Sequence, residues 1–93
     1  MPSRRDLDLM GASAEGSLER MRVLFGQGAK VNARMKNGAT PLIAAVVRGN
    51  AEIAALLLKS GADLNARTES GVSARDAAKA GGLDEIVQML GQA

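Results

Sequence analysis

Residues 37–50 read NGATPLIAAVVRGN, and nearly every position is a local structural signal. Asn37-Gly38 is a tight-turn pair, because both residue types tolerate the backbone angles that turns demand. Thr40 offers a hydroxyl to cap a helix. Pro41 then falls at the first helical position, where its missing N–H is no loss and its fixed φ suits the helix. LIAAVVR is the helix body, Gly49 supplies a left-handed stop, and Asn50 is placed to cap a second helix. So many signals delimit only a short helix, which means that the fold is built from short units.

Working outward, AEIAALLLKS at residues 51–60 places Ile53, Leu56 and Leu57 on one helical face. Gly61 ends that helix and ADLNAR continues as extended chain. The same unit then recurs. Gly16, Gly49 and Gly82 stand 33 residues apart, and GAKVNAR at residues 28–34 returns as GADLNAR at 61–67. Glu19, Glu52 and Glu85 keep that spacing, as do Leu24, Leu57 and Leu90, and Ala12, Ala45 and Ala78. So many registers at one period indicate an array in which each copy is a pair of short helices. The first copy keeps a helix over RRDLDLMGASAE and another over SLERMRVLFGQ, but lacks Thr-Pro and the turn glycine. The last copy ends with DEIVQML and Gly91. Altered end copies are what a stack requires, since each end faces water on one side.

This pattern resembles the ankyrin repeat along essentially the whole chain. The period matches, and Thr40-Pro41-Leu42-Ile43-Ala44-Ala45 follows the family's T-P-L-H-x-A signature with Ile43 in place of His. The resemblance implies an all-α solenoid of stacked helix-turn-helix units with β-hairpin-like finger loops. The expected organisation is one domain over 1–93, comprising an N-terminal capping repeat at 1–33, an internal repeat at 34–66 and a C-terminal capping repeat at 67–93. Two departures stand out. The family's finger tip commonly carries Asp where Met35 and Thr68 stand, so these fingers lack that turn-closing side chain. In the last copy Arg75 takes a normally apolar position, and its stem is expected to cover the core while its head reaches water.

Composition narrows the function classes. The 93 residues include no cysteine and no histidine, which removes disulfides, zinc-finger ligand sets and imidazole chemistry. No acidic loop of EF-hand spacing occurs. The Gly-x-Gly of GQGAKV at residues 26–31 follows a helix and precedes extended chain, the reverse of the dinucleotide fingerprint, so it reads as a helix cap. Asp84 and Glu85 begin a helix, where they complement its dipole. The expectation is a non-enzyme with no cofactor and no metal. The sequence shows neither a signal peptide nor a membrane span, so a cytoplasmic monomer is expected, and the close at Gly91-Gln92-Ala93 is the ending expected of a finished domain.

The methionines Met10, Met21 and Met89 fall on apolar helix positions and are expected in the core, as is Phe25. Met35 lies in a loop that no helix face claims, as a partly buried finger contact or an anchor for a partner. What the family resemblance implies is protein binding through the finger tips and the inner helix face. Carried over residue by residue, that surface comprises Arg34, Met35, Lys36, Asn37 and Ala39 on the first finger, and Arg67, Glu69, Ser70 and Val72 on the second. Val47 and Arg48 join it from the inner helix of the middle copy, with Ala14 and Glu15 before them and Ala80 and Gly81 after.

Net charge is only +2, but Arg34, Lys36, Arg48 and Arg67 gather on this one surface against Glu15 and Glu69. The expected partner is therefore an acidic protein or peptide, with the arginines as hot spots and little role in stability. Two alternatives stand beside this: a minimal or engineered scaffold without a specific partner, and weak nucleic-acid binding by the basic strip. The second lacks stacking aromatics, since Phe25 is the only aromatic residue.

Overall fold

The computed structural model describes residues 4–91 and consists of six short helices. They are α1 (Arg4–Glu15), α2 (Leu18–Gly26), α3 (Pro41–Val47), α4 (Ala51–Lys59), α5 (Ala74–Ala80) and α6 (Asp84–Gly91). The only ladder pairing among the described residues is an isolated antiparallel bridge between Arg67 and Ser73. The all-α expectation holds, and the helix limits follow the capping signals.

The N-caps of α2, α3, α4 and α5 can each be traced to a side chain. Thr40 Oγ1 accepts from the Ile43 N–H at 3.3 Å, and Asn50 Oδ1 accepts from the Ile53 N–H at 3.0 Å. Ser17 plays the same part for α2, taking the Arg20 N–H at 3.3 Å. Ser73 and Asp76 form a reciprocal capping box at the start of α5. At the other ends Gly16, Gly49 and Gly82 have φ of 80°, 72° and 65°, the left-handed conformation that an L side chain resists. The 33-residue glycine register is thus a register of helix stops.

Stacking follows from which faces are apolar. α1 packs on α3 and α3 on α5, forming an inner row, and each inner helix packs on the outer helix that follows it. α4 also packs on α6 in the outer row. The core lies between the rows and is made of the period-matched residues. Ala12, Ala45 and Ala78 are fully buried, and their small side chains let the inner helices approach closely. Leu57 and Leu90 are fully buried and Leu24 nearly so. Ser13, also fully buried, stands one period before the apolar Val46, and its hydroxyl donates to the Leu9 carbonyl at 2.8 Å. Among the described residues no buried side-chain nitrogen or oxygen lacks a hydrogen bond.

Two expectations are corrected. Met21 is fully buried and Met89 packs partly buried against the core, but Met10 is only half-buried and is not among the side chains packed against it. Arg75 does not simply send its head to water: its guanidinium donates to the Leu90 carbonyl at 3.3 Å, satisfying a carbonyl that the end of α6 leaves open. The turn expected at Asn37-Gly38 forms over Lys36 to Gly38, with no positive φ at Asn37. Met35 O accepts from the Gly38 N–H at 2.8 Å, Gly38 takes φ 85°, and the Met35 N–H donates to Ala39 O at 2.9 Å. That is a three-residue loop closed by a left-handed glycine. Residues 68–72 repeat it bond for bond, with Gly71 at φ 85°.

Candidate interaction surface

The fingers precede α3 and α5, and their hairpin geometry projects the tips while Thr40 and Ser73 turn the chain into the next helix. Neither tip has the turn-closing Asp, yet both are closed by other side chains. In the first finger Asn37 Oδ1 accepts from the Ala39 N–H at 3.0 Å. In the second, Thr68 Oγ1 accepts from the Val72 N–H at 3.2 Å and pairs with the Ser70 hydroxyl at 3.0 Å. The missing Asp therefore does not leave the loops unsupported.

The two fingers are joined to each other. Asn37 O accepts from the Glu69 N–H at 2.9 Å, and the Arg34 guanidinium donates to Arg67 O. Gly38 lies so close to the second finger that a Cβ there would sit 3.0 Å from both Arg67 O and Thr68 Cα. Lower in the same joint Asn32 bridges the repeats, donating to Gly61 O at 3.1 Å and accepting from the Asp63 N–H at 2.7 Å. Arg34, Met35, Lys36, Asn37 and Ala39 are thus brought against Arg67, Glu69, Ser70 and Val72 as one surface.

Arg34 and Arg67 are engaged within that surface. Arg67 donates to Gly71 O at 2.8 Å and pairs with Asp76 at 3.1 Å, and Arg34 holds the neighbouring finger. These two arginines thus hydrogen-bond within and between the fingers as well as lying on the expected binding surface. Lys36 and Arg48 are exposed and have no ion pair among the described residues. Glu15 is paired with Arg20 at 2.9 Å, which offsets its charge. Asp76 accepts from the backbone N–H and hydroxyl side of Ser73 and faces Arg67, so its carboxyl titrates below the ordinary aspartate value.

Val47 and Arg48 stand apart from the fingers, at the far end of α3. Six helical steps from Pro41 place them about 10 Å from the finger base. Val47 is 68% exposed, the most open large apolar side chain among the described residues. Ala14 is half-buried, whereas Ala80 and Gly81 are exposed.

One feature of the surface was not legible beforehand. Met10 on α1 joins Met35, Lys36, Asn37 and Ala39 in lining an open depression of about 380 Å³. Its signal lay in the repeat offset. Arg4 to Asp6 occupy the register of Asn37 to Ala39 one period earlier, but they belong to α1, so no finger of this kind stands there. A second shallow groove, between α2 and α4, is lined by Leu18, Arg22, Glu52, Ala55, Leu56 and Lys59 and carries both signs of charge.

Stacked helix pairs with paired fingers, an exposed inner edge and a continuous small-residue core define a repeat solenoid. The chain belongs to the ankyrin-repeat family: the family described as "Ankyrin repeats (3 copies)" matches residues 9–93. No curated protein matches it as a relative. Ankyrin repeats are generally protein-protein interaction modules and typically non-catalytic. Among the described residues no helix is long and apolar enough to cross a membrane.

Proposed function

We propose that this chain is a non-catalytic binding module that takes an acidic protein or peptide across its finger tips and inner helix face. The observation that carries this reading is the state of the surface cations. Arg34 and Arg67 brace the fingers, and Lys36 on the first finger and Arg48 at the far end of α3 are exposed with no ion pair among the described residues. Lysine and arginine left unpaired on a braced scaffold favour carboxylates, and their long-range attraction raises association rates. With Phe25 the sole aromatic residue and half-buried, binding lacks Tyr or Trp anchors and is strongly salt-dependent. The module acts as a monomer in the cytoplasm under this reading.

The test compares proteins captured from a cell lysate by wild type and by a Lys36→Gln/Arg48→Gln variant, at about 0.05 M and about 0.5 M salt. Acidic partners captured by wild type at low salt, and lost with the variant, are the expected result. Identical capture by both proteins would refute the role of these cations. An electrophoretic shift of duplex DNA at low salt would move the reading to nucleic acid.

A further inference from the structure

The depression beside the first finger has an identifiable physical origin. In the middle repeat the position equivalent to Met10 is Ile43, which is only 4% exposed because it lies inside the stack. Among the described residues no finger of this kind stands in front of α1, and Met10 remains half-buried beside the first finger. Met35 leans into the same space from the loop. At the matching position of the second finger stands Thr68, whose hydroxyl is already committed to Val72 and Ser70. The methionine wall of this depression therefore has no counterpart at residue 68 of the second finger. Leu7, one turn earlier on α1 and 44% exposed, extends the apolar ground along that helix.

We propose that the Met10–Met35 depression is a socket for one apolar side chain of an acidic peptide, whose flanking carboxylate pairs with Lys36 on the rim. This inference rests on the binding reading above and assigns it an anchor point. Two unbranched thioether side chains form an adaptable apolar wall, able to accommodate aliphatic or aromatic groups without a rigid fit. The depression, about 380 Å³ and open to solvent, has room for one apolar side chain laid against its methionine wall. The charge argument selects the flanking chemistry. Lys36 lines the depression without an ion pair among the described residues, whereas the second finger has Glu69 at the same register. A nucleic acid finds no aromatic platform there, so an anionic peptide with an apolar residue is the occupant that fits both the walls and the rim.

The test uses protein labelled with ¹³C at the methionine methyls and ¹⁵N in the backbone, titrated with three blocked peptides: Glu-Glu-Leu-Glu-Glu, Glu-Glu-Ala-Glu-Glu and Lys-Lys-Leu-Lys-Lys. The Leu-containing acidic peptide should shift the Met10 and Met35 methyl resonances progressively while leaving buried Met21 unmoved. The Ala-containing acidic peptide and the basic peptide should not. Met35→Thr, which copies the residue of the second finger, should weaken the acidic Leu peptide about tenfold without moving the thermal melt. If the amides of Lys36 and Arg48 respond equally to both acidic peptides while the methyls stay silent, the socket is refuted and acidic binding stands. Equal methyl shifts with the basic peptide would refute the charge assignment. No response to any peptide would overturn both the socket and the binding surface.

Discussion

Leu57 is the side chain whose removal tests the stacking most directly. It is fully buried on α4, the outer helix of the internal repeat, with Leu24 and Leu90 at the same register on either side. Leu57→Ala removes three carbons, and at roughly 0.8 kcal/mol per buried CH₂ the transfer loss is about 2.4 kcal/mol. A residual cavity of about 50 Å³, at about 24 cal/mol per Å³, adds about 1.2 kcal/mol. The expected loss is therefore about 3.5 kcal/mol. At roughly 0.05–0.15 kcal/mol per residue a chain of this length holds about 5–14 kcal/mol in total, so the variant loses a quarter or more of its stability. A urea melt followed by far-ultraviolet circular dichroism reads the change. With m near 2 kcal/mol/M, the midpoint should fall by about 1.5–2 M. A loss under about 1 kcal/mol at unchanged m would show that the site collapses without a cavity, and would refute the packing argument.

The remaining predictions concern the joints. Gly38→Ala should cost at least about 1 kcal/mol more than Gly28→Ala in the same melt. Both glycines have positive φ, but only at Gly38 does the new methyl meet neighbouring backbone, and equal costs would refute that contact. Asn32→Ala should lose about 1–2 kcal/mol by breaking the bridge to Gly61 and Asp63. Asn65→Ala, one period later, should lose under about 0.5 kcal/mol, because that side chain makes no such bridge among the described residues. The Asp76 carboxyl has a folded pKa below its unfolded value, so its contribution is full above about pH 4 and disappears as pH falls through the folded value. The stability difference between wild type and Asp76→Asn should accordingly shrink toward zero on acidification, and a difference independent of pH would contradict the role given to Ser73 and Arg67.

The sequence and the structure agree wherever the signal is a residue's own backbone preference. Thr40-Pro41, Asn50 and the glycines at 16, 49 and 82 act locally, so they could be read one at a time. The buried alanines and leucines were legible because the period repeats their environment. The readings that needed correction depend on neighbours that are distant in sequence. Arg34 finds a carbonyl 33 residues away, and Arg75 finds one 15 residues away; no local pattern announces either. Met10 has an apolar helix position like that of Ile43, yet Ile43 is buried and Met10 is not, and no local pattern distinguishes them. The Asn37-Gly38 pair marked its turn correctly, because the left-handed conformation at Gly38 is a local preference.

The seam between the first two fingers has a direction. Asn32 and Arg34 each reach forward by about one period, and both donate to main-chain oxygens there; Asn37 O takes an N–H from Glu69 in turn. On the receiving side the partners are peptide groups at Gly61, Asp63, Arg67 and Glu69, which every non-proline residue supplies alike. The later repeat can therefore change the side chains on its finger without loosening the seam that positions it. Sequence change on that finger is therefore uncoupled from this part of the seam, whereas change at Asn32 or Arg34 is not.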